Sequence, residues 1–239
     1  MNQGPAARAD GDREPASWHF GNPSIPYVLP FAVFVLMLAG QNYLAALGRW
    51  DYPFRVVVLA AVIWPCLSGV PSFRIQYWVP SIALGAAVFA IWVGPDLLIP
   101  GYRNHWWFQN GLTGTLASSI APGLLSDPVV LAFRSIRAVI LVPILEELFW
   151  RAWLMRWLIS TDFEKVPLGT YAATAFWVTA ALFASEHGPY WDVGLITGVI
   201  YNWWMVRTKS LGDCILMHAV TNACLSVFVI VGGHWEYWL

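Results

Sequence analysis

Long apolar runs separated by short polar breaks dominate this chain. Seven stretches, 27–47, 55–70, 76–94, 130–158, 167–186, 190–206 and 211–231, carry few charges or none. A helix crosses a bilayer with about 20 apolar residues, and shorter segments are accommodated by tilt, snorkelling or local thinning. The pattern therefore predicts an all-α, polytopic membrane bundle of seven or eight transmembrane helices. The eighth would lie in the one long break, 95–128, where "IPGYRNHWWFQNGLTG" places Tyr102, Trp106 and Trp107 as an interfacial or re-entrant segment would. Residues 1–24 are polar and rich in Pro, Gly and Ala, with no apolar core behind a charged start. They read as a disordered tail, neither a signal peptide nor a myristoylation site. Residues 25–239 read as a single transmembrane domain.

Composition sharpens this picture. Of the 239 residues, 58% are hydrophobic and 11% charged, against about 25% charged in soluble domains. The formal net charge of −1 and the absence of a Lys/Arg-rich run argue against a nucleic-acid partner. Cys66, Cys214 and Cys224 sit in apolar segments without metal-ligand spacing and read as small core residues. The 16 tryptophans lie mostly near segment ends, where they anchor helices at the headgroup level. Arg8, Arg13, Arg74, Arg156, Lys165, Arg207 and Lys209 fall on the amino-terminal side, and Arg49, Arg55, Arg103, Arg134 and Arg137 on the other. This bias favours a cytoplasmic amino terminus.

Ionisable groups inside apolar segments are costly and by default mark function. In "VPILEELFWRAWLMRWLI", Glu147 and Arg151 are four residues apart and share a helix face as an ion pair, while Glu146 points about 100° away. With the obvious cation engaged, Glu146 is left as an unpaired carboxyl suited to take a proton from water. Pro143 cannot donate to the carbonyl of Val139, so the helix is expected to bend beside the glutamates. With Arg137 at the membrane boundary, Glu146 lies about 13 Å deep. In "FASEHG", His187 ends its segment on the side where the preceding helix begins, which lets it approach Glu146, whereas Glu186 reads as a solvated neighbour. In "HAVTN", His218 and Asn222 share one face of an apolar helix, flanked by the small residues Ala219, Thr221 and Ala223. They suit the wall of a polar cavity that stabilises an oxyanion. The set fits hydrolysis of an amide by direct attack of water. No Ser/His or Cys/His nucleophile pair, HExxH signature or Gly-rich phosphate loop is present.

The order EExxxR (Glu146, Glu147, Arg151), FxxxH (Phe183, His187) and HxxxN (His218, Asn222) resembles the CAAX-protease and bacteriocin-processing family of intramembrane proteases, over a core from about 129 to 231. The Trp-rich "EELFWRAWLMRW" is similar to a bacterial subgroup found with exosortase sorting systems. The resemblance implies a glutamate-dependent endopeptidase in a helical bundle. Glu146 would activate water with help from His187, His218 and Asn222 would form the oxyanion hole, and Glu147, Arg151 and Phe183 would support them. It implies no cofactor, with zinc on Glu146, His187 and His218 as the alternative. Its partners would be the lipid bilayer and a membrane-anchored peptide or protein, in a bacterial inner membrane. Two rival readings are a non-enzymatic scaffold or immunity partner and a proton-coupled transporter, although no internal repeat supports the latter.

Overall fold

A computed structural model of the protein describes residues 21–238. The predicted disordered tail lies, for residues 1–20, outside the described residues. Each of the seven apolar stretches contains a helix: α1 (Ile25–Ala39), α2 (Asp51–Cys66), α3 (Trp78–Leu98), α4 (Pro128–Trp157), α5 (Ala173–Ser185), α6 (Trp191–Thr208) and α7 (Leu211–Gly232). Four helical stretches are long and apolar enough to cross a membrane: Gln41–Gly69, Trp78–Leu98, Pro128–Trp157 and Leu211–Gly232. With the shorter apolar helices Ile25–Ala39 and Ala173–Ser185, they make this an integral membrane protein.

Several expected boundaries move. The first helix stops at Ala39, and residues 41–50 form a separate turn whose Gly48, at φ 57°, breaks the helical path into α2. The segment expected from 167 begins as helix only at Ala173, because Gly169 takes a left-handed turn at φ 70°. There its missing Cβ clears the Met205 carbonyl, against which a side chain would collide. The long break contains no eighth crossing. It holds two three-residue 3-10 turns, Tyr102–Asn104 and Pro122–Leu124. Arg103 anchors it at Asp96 (2.9 Å) and Asp192 (2.8 Å). The loop thus folds back over the bundle end from which it leaves.

Helix α4 is irregular where the sequence predicts a bend. Its backbone widens into π-turns at Arg137–Leu141 and Leu148–Leu154, on either side of the regular turn Val142–Glu147. In the first, the Val142 amide donates to the Arg137 carbonyl. The same register would pair the Ala138 carbonyl with residue 143, which is proline and has no N–H. Asn222 of α7 fills the gap, donating its side-chain N–H to that carbonyl at 2.8 Å.

Helices α3 and α7 approach closely at Gly85. A Cβ there would lie 2.5 Å from the Met217 carbonyl oxygen and 2.8 Å from Val220 Cβ. The approach brings the Thr221 hydroxyl to 3.0 Å from the Gly85 carbonyl, the small-residue packing that membrane helices favour. Gly85→Val is expected to cost about 1–3 kcal/mol through overpacking, read as a lower thermal unfolding midpoint in detergent. Gly94→Ala on the same helix, where a Cβ meets nothing within 4 Å, should leave the midpoint nearly unchanged.

Candidate active site

The glutamates sit in the regular turn between the two π-turns of α4. Glu147 and Arg151 are both fully buried and form the expected ion pair at 3.1 Å. The guanidinium also donates through Nε to Asn202 Oδ1 (3.1 Å) and lies 4.5 Å from the centre of the Phe183 ring and 5.2 Å from that of Tyr201. Asn202 in turn donates to the Phe176 carbonyl. Nδ1 of His218 stands 2.9 Å from the same carboxylate oxygen of Glu147 that Arg151 uses. Because an ionised carboxylate only accepts, that contact places the ring proton on Nδ1 and turns Nε2 away from Glu147.

Glu146 takes the other direction. It is buried, and its Oε2 has no hydrogen-bond partner. It lines a cavity of about 550 Å³ together with Glu186, His187, His218 and Asn222. His187 Nδ1 lies 2.6 Å from the Phe183 carbonyl. A carbonyl also only accepts, so Nδ1 carries the proton and Nε2 keeps a lone pair. Phe183 and Trp92 hold the ring, with centroids at 4.6 and 5.3 Å. Trp92 is fixed in turn by donating to Thr197 at 2.8 Å.

The four expected catalytic residues thus line one cavity, with Phe183 as the packing element between them. Asn222 has one N–H engaged at Ala138 and retains a second. Glu186 is more than a solvated neighbour, because it lines the cavity and accepts from Trp150 Nε1 at 3.1 Å. Ser185 bonds back to the Leu182 carbonyl and is not a wall residue. Among the described residues, no group of three His, Cys, Asp or Glu side chains is placed to hold a metal. Glu146, His187 and His218 share the cavity but do not gather as ligands.

Sequence reasoning missed the roof and the supports. Thr113, Thr115, Ser118 and Ser119 of the long loop wall the cavity beside Pro189 and Tyr237, so its mouth is at the loop end of the bundle, opposite the amino-terminal end of α1. Asn202 was visible as a lone amide in the apolar "IYNWWM". Trp92 carried no signal that separated it from the anchoring tryptophans.

Residues 128–224 match the family model described as Type II CAAX prenyl endopeptidase Rce1-like. The matched span contains Glu146, Glu147, Arg151, Phe183, His187, His218 and Asn222. No curated protein and no solved structure matches the chain.

Removing one member of a buried ion pair leaves the other uncompensated, at a cost of about 3–5 kcal/mol. Arg151→Gln should therefore lower the thermal unfolding midpoint of the purified protein sharply. The double variant Glu147→Gln/Arg151→Gln should recover part of the loss, because no uncompensated carboxylate remains.

Proposed function

We propose that the protein is an intramembrane endopeptidase that cleaves a membrane-anchored peptide or protein with water activated by Glu146. The observation that carries this reading is the buried, unpartnered oxygen of Glu146 in the wall of a polar cavity that His187, His218 and Asn222 also line. A carboxyl placed there serves neither the ion pair beside it nor the packing around it. Glu146 accepts a proton from water, and the resulting hydroxide attacks the carbonyl carbon of the scissile amide. His187, whose Nε2 keeps its lone pair, orients that water and passes the proton on to the departing amine. The C–N bond breaks as the amine nitrogen takes this proton, leaving a free amine and a carboxylic acid, which releases the water's second proton to solvent as it ionises to the carboxylate.

The negative oxygen of the tetrahedral intermediate is stabilised by the second N–H of Asn222 and by His218. His218 donates from Nε2 when its ring carries both protons, with Nδ1–H held on Glu147. Glu147, Arg151 and Asn202 fix its position. No step requires a metal. The enzyme works in a bacterial plasma membrane with its cavity mouth at the end opposite the start of α1, and the long loop screens the reacting groups from bulk water.

The test is cleavage of a membrane-anchored peptide library by the purified protein in lipid vesicles. Glu146→Gln and His187→Ala should each lower the rate at least about 100-fold, the scale of a lost general base. Asn222→Ala should cost about 10- to 100-fold through the oxyanion. A strong chelator should leave the wild-type rate unchanged. Cleavage that survives Glu146→Gln, or that the chelator abolishes, overturns the mechanism. Variants that stay folded and cut like the wild type return the protein to the scaffold reading.

A further inference from the structure

A second polar pocket, of about 260 Å³, adjoins the cavity, and Gln41, Ser118 and Ser119 wall both. Its charged lining consists of Asp51, Arg55 and Arg137. Asp51 is already engaged, since Arg55 grips both its oxygens at 2.7 and 2.8 Å. That leaves Arg137 as the surplus charge. It is 5% exposed, and its Nε has no hydrogen-bond partner. None of the ion pairs among the described residues includes it. One turn earlier on the same helix, Arg134 lines the main cavity, its Nε likewise buried without a hydrogen-bond partner and its guanidinium 5.2 Å from the Trp238 ring centre.

Two neighbouring guanidinium groups outside any ion pair, lining adjoining polar pockets, are costly unless an anion completes them. The planar fork of arginine matches a carboxylate through two parallel hydrogen bonds. We infer that Arg137, assisted by Arg134, forms a subsite that holds a carboxylate of the bound peptide substrate and so sets where the chain is cut. This rests on the proteolytic reading and adds a specificity determinant to it. Arg137 and Glu146 are nine residues apart on α4, about 13 Å along a helix axis. An extended peptide spans that distance in about four residues, so the carboxylate sits three to five residues from the bond that breaks. It belongs either to an acidic side chain or to the peptide's own carboxyl terminus.

Three versions of a randomised membrane-anchored peptide library distinguish the sources: free carboxyl terminus without internal acids, carboxamide terminus without acids, and carboxamide terminus with one aspartate at varied positions. Cleavage in vesicles is read by mass spectrometry. The wild type should cut at least one carboxylate-bearing version about tenfold faster than the neutral one, the discrimination expected of a charge-assisted contact. Arg137→Gln should abolish that preference, and Arg137→Lys should restore part of it. Equal cleavage of all three versions by the wild type, or an unchanged preference in folded Arg137→Gln, overturns the subsite and leaves the protease standing. Failure of the wild type to cut any version overturns both.

Discussion

The buried pair of Glu147 and Arg151 is the constraint on which the rest of the site depends. Two charges with no exposure need hydrogen-bond partners beyond each other, and here those partners come from different helices, while Glu147 Oε2 and Arg151 Nη2 have none. Asn202 on α6 takes the guanidinium Nε, His218 on α7 takes the carboxylate, and Phe183 on α5 covers the cation. One intrahelical ion pair therefore fixes the relative rotation of α4, α5, α6 and α7. Since Glu146 adjoins Glu147 in sequence, turning one inward to the pair turns the other toward the cavity. On the proposed mechanism, the double glutamate divides a structural and a chemical task between adjacent positions.

Pro143 extends the same logic along α4. A regular helix would close its hydrogen bonds and leave no inward room. The proline removes one donor, the backbone widens before it, and Asn222 supplies the missing partner to Ala138. Asn222 thereby joins α7 to α4 with one N–H and keeps the other for the cavity. Such a dual part explains why a residue can line the cavity and still be needed for packing.

Much of this was legible in the sequence, and the physics explains which parts. The apolar runs located all seven helices because burial in lipid permits little charge, and the i,i+4 spacing of Glu147 and Arg151 fixed their pairing. The motifs at His187, His218 and Asn222 located the cavity walls. The long loop was harder to read. Its aromatic residues suit a membrane interface and an extra short helix equally, and it is tertiary contacts, among them the pairing of Arg103 with Asp96 and Asp192, that fold it back over the bundle end. Partners that depend on tertiary placement left little local trace: Trp92 behind His187, Trp150 on Glu186, and the subsite at Arg137, which in sequence looked like a marker of the membrane boundary.

The central claim is that water activated by Glu146 attacks the peptide bond directly. The most direct test is a single turnover in water enriched in oxygen-18, run with hydroxylamine present to intercept any covalent acyl intermediate. Direct attack predicts one heavy oxygen in the new carboxylate of the product and no hydroxamate. A hydroxamate product would show that a side chain of the enzyme attacks first, which would contradict the account.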